Sequence, residues 1–200
     1  NGKWQYGRSN KNVRSKLMSI PTLIKTLTAS DSASLSFHHG VSSVVFDSTY
    51  DEYMFVFTDI GPATDEADLT FQCNAVDASG YNETITSTYH NAQQQEGGGV
   101  ANIGGSDGAY IQNNGTSFQD LTDNQGNGSD ESLAGILCLF SPADTTYVKH
   151  WYSRIQQSAN ENSANRYFAG YFNITAAIDD IQFKMSTGNF DGVIQMYGIA

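Results

Sequence analysis

Asp51-Glu52-Tyr53-Met54-Phe55-Val56-Phe57-Thr58-Asp59-Ile60, followed by Gly61-Pro62, is the stretch on which the fold class turns. Side chains of a strand alternate between its two faces. Tyr53, Phe55 and Phe57 therefore share one face, and Met54, Val56 and Thr58 the other. A helix would scatter the same rings around its circumference. Both faces are largely apolar, which predicts a central strand covered on both sides. Pro62 has no N–H for a ladder, so Gly61-Pro62 marks the end of the run.

Working outward, the same period recurs. Leu69, Phe71 and Cys73 alternate with Thr70 and Gln72, and Ile181, Phe183 and Met185 with Gln182 and Lys184. Apolar or aromatic runs follow at 133–140, 146–154, 167–174 and 193–199, with turn signals at Ser141-Pro142 and Thr187-Gly188-Asn189. Runs at 23–29 and 32–37 flank Ser30-Asp31, which reads as a hairpin turn. The stretch 83–90 sets Thr84, Thr86 and Thr88 against Ile85, Ser87 and Tyr89, a polar strand expected near a sheet edge. The pattern predicts an all-β fold: an antiparallel β-sandwich of jelly-roll type with about eight to ten strands. No repeat of fixed period points to a propeller or β-helix.

Composition agrees. Charged residues are 16% of the 200, below the usual quarter, and 19 glycines with many Ser, Thr and Asn supply turns rather than long helices. The size suits a single sandwich domain, expected over residues 18–200. The net charge of −11 is unevenly spread. Lys3, Arg8, Lys11, Arg14 and Lys16 are five of the ten basic residues and no acid lies among them, so the rest carries 5 − 21 = −16. A body this acidic repels nucleic acid and anionic membranes. Residues 1–17 read either as a basic attachment arm or as a leader ahead of Met18. No apolar run is long enough for a transmembrane helix, and the N-terminus lacks the apolar core of a signal peptide. Cys73 and Cys138 each sit in an apolar run and are expected as two buried free thiols. That usage fits assembly in a reducing cytoplasm.

Between Asn91 and Asp130 the pattern weakens. Gly97-Gly98-Gly99, Gly104-Gly105, Asn113-Asn114-Gly115 and the stretch 124–128 leave few apolar anchors, which predicts surface loops around a short strand or helix. This segment is expected to face partners. Tyr110 and Phe118 within it, and Tyr81 in an earlier loop, are the candidate contact rings for a glycan or a neighbouring subunit; for Tyr110 and Phe118 the alternative is that they anchor the loops to the core. Asp123, Asn127, Asp130 and Glu131 offer oxygens for Ca²⁺, but not at EF-hand spacing, and a solvated acidic loop is the expectation. His38-His39 cannot share one metal on a strand, because adjacent side chains point to opposite faces. Asp51-Glu52 and Asp179-Asp180 read as edge charges. No GxSxG, P-loop or cysteine-nucleophile signature occurs. No catalytic residue, cofactor or metal site is expected.

Three segments carry a resemblance. The first is 48–65, Ser-Thr-Tyr-Asp-Glu-Tyr through Ile60-Gly61-Pro62-Ala63-Thr64-Asp65. The second is 130–149, with Leu139-Phe140-Ser141-Pro142 and Thr145-Thr146-Tyr147-Val148-Lys149. The third joins Ala169-Gly170-Tyr171-Phe172-Asn173 to the stretches 181–190 and 192–199, ending in Tyr197-Gly198-Ile199. Together they resemble a family of structural proteins of marine tailed phages, especially cyanophages, described variously as tail fibre or capsid decoration. The resemblance spans most of the chain from about Ile20 onward, except the Gly-rich middle. It implies a non-enzymatic protein on the virion exterior, partnered by other virion proteins and by itself as a homotrimer. A lectin-like module binding host surface glycan is the alternative. A polysaccharide depolymerase is a further one, and would require two suitably separated carboxylates.

Overall fold

The computed structural model describes residues 20–99, 101–105 and 108–200. The basic segment 1–17, with its two readings, and Met18 lie outside the described residues. The fold is all-β, and its strands form two antiparallel sheets. In chain order they are β1 (Thr22–Ser32), β2 (Leu35–His38), β3 (Glu52–Pro62), β4 (Leu69–Ala75), β5 (Ile85–Gln95), β6 (Ala101–Gly105), β7 (Asn113–Gly115), β8 (Gln119–Asp120), β9 (Leu133–Phe140), β10 (Lys149–Ala159), β11 (Asn162–Phe172), β12 (Ile178–Met185) and β13 (Phe190–Ile199).

The larger sheet has the order β1-β13-β3-β9-β10-β11-β5-β6, with β7 also on β5; the smaller is β2-β12-β4-β8. Thirteen strands among the described residues exceed the expected eight to ten, because β2, β7 and β8 are four residues or shorter. The two antiparallel sheets pack face to face as a sandwich. The polar strand β5 lies second from one edge.

Aromatic rings join the sheets. Phe183, on β12 of the smaller sheet, lies 5.3 Å from Phe55 and 5.2 Å from Phe57 on β3 of the larger. Phe37 on β2 meets Phe55 at 5.3 Å, and Phe71 on β4 meets Trp151 on β10 at 4.9 Å, both edge-on. Such pairs contribute about 0.5–1.5 kcal/mol each beyond the area they bury. The alternating residues of β3, β4 and β12 thus pack against one another as their period of two requires.

Three expectations need correction. β3 is central, but of these six side chains only Tyr53, Phe55 and Phe57 are covered; Met54 and Val56 are half-buried and Thr58 exposed, since no third layer of the described residues lies outside the larger sheet. The apolar character of that face does not itself supply a cover. Ser30-Asp31 is not a hairpin turn. β1 runs through it to Ser32 and pairs with β13, whereas β2 pairs with β12 in the other sheet, so the chain changes sheet there. The Gly- and Asn-rich middle is also more ordered into ladders than its composition suggested. β5 continues to Gln95, with Asn91–Gln95 paired residue by residue to Asn162–Arg166, and β6, β7 and β8 follow. Backbone hydrogen bonds need no apolar side chains, so a polar strand can lie between neighbours.

The β10–β11 hairpin carries the ladders described below. It turns at Asn160-Glu161, both with positive φ (51° and 61°), the two-residue geometry that matches strand twist. The side chain of Glu131 caps it by accepting from the Asn160 amide.

Candidate functional site

Two regions concentrate polar chemistry. The first lies where the 108–125 segment folds onto β5, β10 and β11. Arg166, inward-facing on β11, is 5% exposed at its side chain and pairs with Asp123 at 3.0 Å. It also donates to the Tyr89 hydroxyl and, at 3.4 Å, to Gln157 Oε1. Gln157 Nε2 donates to the Asp123 carbonyl at 2.6 Å. A buried guanidinium requires such a set, because its donors must all be met away from water. Asp68 accepts from the Asn124 amide at 2.7 Å. Burial pushes Asp68 up to about 6, with Asp123 adding to the rise and Arg166 opposing it. Burial, then the charges of Asp68 and Asp123, push Asp120 up to about 7.

A cavity of about 240 Å³ opens beside this network, lined by Glu66, Gln93, Asp123, Asn124, Gln157 and Arg166 among others. Asp68 and Asp120 are not among its lining residues, and Asp123, which is, already holds Arg166 and the Tyr110 hydroxyl.

The three rings singled out in the sequence separate into two places. Tyr110 donates its hydroxyl to Asp123 and packs its ring 5.7 Å from that of Tyr89, half-buried against the core. In this arrangement it fastens the segment inward. Gln119 does the same from β8: it accepts from Ser87 Oγ at 2.7 Å and donates to the Tyr110 carbonyl at 2.9 Å. Tyr81 and Phe118 come together, their centroids 6.3 Å apart, with Lys184 Nζ 4.3 Å over the Phe118 ring. Both are half-buried.

The other singled-out groups are engaged with protein atoms. His38 Nδ1, at the end of β2, lies 2.7 Å from Asp180, while His39 Nδ1, in the turn that follows, accepts from the Phe46 amide at 2.9 Å. In the acidic loop, Glu131 accepts from the Gly128 amide at 2.8 Å and the Asn127 amide donates to Asp65 at 3.3 Å. No group of three His, Cys, Asp or Glu able to hold a metal occurs among the described residues. Cys73 and Cys138 are both free and buried. Burial pushes the Cys73 thiol far up, and pushes Cys138, beneath Glu52 and Tyr152, to about 12. Lys149 is buried with Nζ donating to the carbonyls of Tyr147 at 2.7 Å and Thr175 at 3.2 Å; burial lowers its pKa.

The second region is the outward face of the larger sheet. Register aligns its side chains into ladders across the strands. One ladder runs Tyr197, Met54, Cys138, Tyr152, Ala169, Thr88. The next runs Gln195, Val56, Ile136, Arg154, Tyr167, His90. Beside the first, His150 is opposite Tyr171, which is opposite Thr86. Both ladders are mainly apolar on β3 and β9, with Met54, Cys138, Val56 and Ile136, and turn aromatic and polar on β10, β11 and β5. Tyr152 is 40% exposed and tilted against Phe140 at 5.8 Å. His90 stacks flat on Tyr167 at 4.6 Å, and Arg154 lies 5.4 Å over the same ring. Ala169 and Gly170 leave a hollow between Tyr152 and Tyr171. A Cβ at Gly170 would come within 2.4 Å of the Thr86 carbonyl oxygen and 2.8 Å of the Trp151 ring.

This face was not singled out in the sequence. Its signal was nevertheless there: β5, β9, β10 and β11 contain no Asp or Glu, in a chain with 21. Comparison of the chain with protein-family models, with curated proteins and with solved structures finds no match in any of the three.

Proposed function

We propose that the chain is a non-enzymatic structural protein of a bacteriophage virion, displayed on the particle exterior after assembly in the host cytoplasm, with its sandwich wound as a jelly roll. The observation that carries this reading is the uncovered apolar half of the outward sheet face. Leu23, Tyr197, Met54, Val56 and Ile136 stand side by side there, half-buried or exposed, with no layer of the described chain over them. A contiguous apolar patch on a rigid sheet is suited to packing against another subunit. Repetition around a three-fold axis, giving a homotrimer, would bury it three times over. The sequence resemblance described above supports the virion setting.

The non-enzymatic part rests on the polar cavity. Its aspartate is committed to a buried arginine and a tyrosine hydroxyl, which leaves that carboxylate poorly placed for proton transfer. Two measurements test the proposal. Antibody raised against the chain should label the exterior of intact phage particles, and light scattering should give three times 21.8 kDa. Val56→Asp should reduce that to one copy. Unlabelled particles would overturn the virion assignment, and a parent that stays at one copy would overturn the trimer.

A further inference from the structure

We infer that the other half of the same outward face, on β10, β11 and β5, is a binding surface for an acidic polysaccharide. The inference rests on the exterior placement proposed above, since only an exposed face meets a glycan.

Charge is the first argument. From Met18 onward the chain carries 21 acids and five bases. Two of those bases, Lys149 and Arg166, are buried and face inward on β10 and β11. Arg154 is exposed on β10, and His90 and His150 are exposed on the same outward face. The four adjacent strands β9, β10, β11 and β5 bring no carboxylate to it. Glu52 of β3 stands at the margin of the face beside Tyr152, so an anionic partner is repelled by most of this molecule and admitted at the Arg154 end of this face.

Shape and chemistry make the second argument. Three hollows follow one another along the strands. One, of about 450 Å³, lies over Ala169 and Gly170 between Tyr152, Tyr171 and His150. A second, about 420 Å³, lies between Ile136, Arg154, Gln156 and Asn165. The third, about 630 Å³, shares Gln156 and Asn165 and reaches Ile103. From His150 to Gln156 the strand rises about 20 Å, the reach of a short run of linked sugar rings. Pyranose rings present C–H faces that stack on tyrosine and edges rich in hydroxyls that need amides, imidazoles and guanidinium donors. The face supplies both: Tyr152 and Tyr171 as platforms, and Arg154, Gln156 and Asn165 as hydrogen-bonding groups. The hydrogen-bonding groups are held in advance. Asn165 accepts from Arg154 Nε at 3.2 Å, and Asn165 Nδ2 donates to Gln156 at 2.9 Å. A pre-ordered surface loses little side-chain entropy on binding. A uronate carboxylate would sit at the Arg154 guanidinium, which carries further donors beyond Nε.

The test uses the whole chain and alginate as the polyuronate probe, with dextran as the uncharged control. Affinity electrophoresis and titration calorimetry should show alginate binding that weakens with salt. Arg154→Gln should weaken it at least tenfold, and Tyr152→Ala should do likewise. Tyr81→Ala with Phe118→Ala, at the other aromatic pair, should leave it unchanged. Equal thermal unfolding of Arg154→Gln and parent establishes that the fold is intact, as expected for an exposed position. No binding to alginate, or binding indifferent to Arg154→Gln, overturns the inference. So does tighter binding of a single-stranded oligonucleotide, or loss of self-association in Tyr152→Ala, which would mean that a second copy covers the face. Particle labelling by antibody does not depend on glycan binding, so failure here leaves the exterior placement standing, and unlabelled particles with alginate binding intact would fail the placement alone.

Discussion

Replacing Arg166 with Met isolates the device that fastens the 108–125 segment to the sheet. The change keeps most of the side-chain volume and removes the charge. Arg166 and Asp123 are 5% and 19% exposed at their side chains and 3.0 Å apart. Removing one member of a buried pair costs about 3–5 kcal/mol, mainly because the other is left charged and unpaired. Asp123 keeps the Tyr110 hydroxyl and some water, which places the expected loss near the lower end, about 3 kcal/mol at pH 7. The loss should also depend on pH. Asp68 already stands at about 6 because it is buried and close to Asp123, and Arg166 holds it down. Without Arg166, Asp68 binds its proton more tightly in the folded state. A carboxylate raised on folding contributes stability that is present below its unfolded pKa, near 4, and lost as pH rises through its folded value. The variant should therefore be closest to the parent near pH 5 and furthest from it near pH 8. Urea unfolding followed by Trp151 fluorescence reads both. At a slope of about 2 kcal/mol/M, the midpoint should fall by about 1.5 M at pH 7. Adding Asp123→Asn should recover part of the loss. A midpoint within about 0.2 M of the parent, or an equal deficit at pH 5 and pH 8, would refute this account of the network.

Two further outcomes are expected. Phe183→Ala should cost about 3–5 kcal/mol in the same urea assay, because the ring is fully buried and touches Phe55 and Phe57 across the sheets; a loss under 1 kcal/mol would mean the sheets do not meet through it. Neither cysteine should react with a thiol reagent without denaturant at pH 8, since both are buried and burial raises both thiols above the working pH; prompt labelling of either would contradict their placement.

How much of this was legible in the sequence differs from element to element. The alternations at Tyr53–Phe57, Leu69–Cys73 and Ile181–Met185 named strands and their covered faces, because a two-residue period and a one-sided core leave little choice of register. The β10–β11 hairpin was harder to see. Its outer half, Gln156-Gln157-Ser158 against Ser163-Ala164-Asn165, has Ala164 as its one apolar side chain, and its turn is Asn160-Glu161 rather than Asn-Gly. Ladder hydrogen bonds and a buried Arg166 hold it, and neither leaves a hydrophobic signature.

By itself, then, the sequence determined the class of fold, the strands of the core and the burial of Cys73, all of which follow from local alternation; Cys138 faces outward and is covered there by its neighbours Glu52 and Tyr152. The sequence also contained the absence of acids from four strands. Only the tertiary structure made that absence into a surface, because strands 85–95, 133–140, 149–159 and 162–172 become neighbours through long-range pairing. The same holds for the rings. Tyr110 is turned inward by Asp123 and Tyr89, while Tyr152, Tyr167 and Tyr171 line an open face. Which side of a strand meets solvent depends on whether a second layer lies over it, and that is decided by residues far away in the chain.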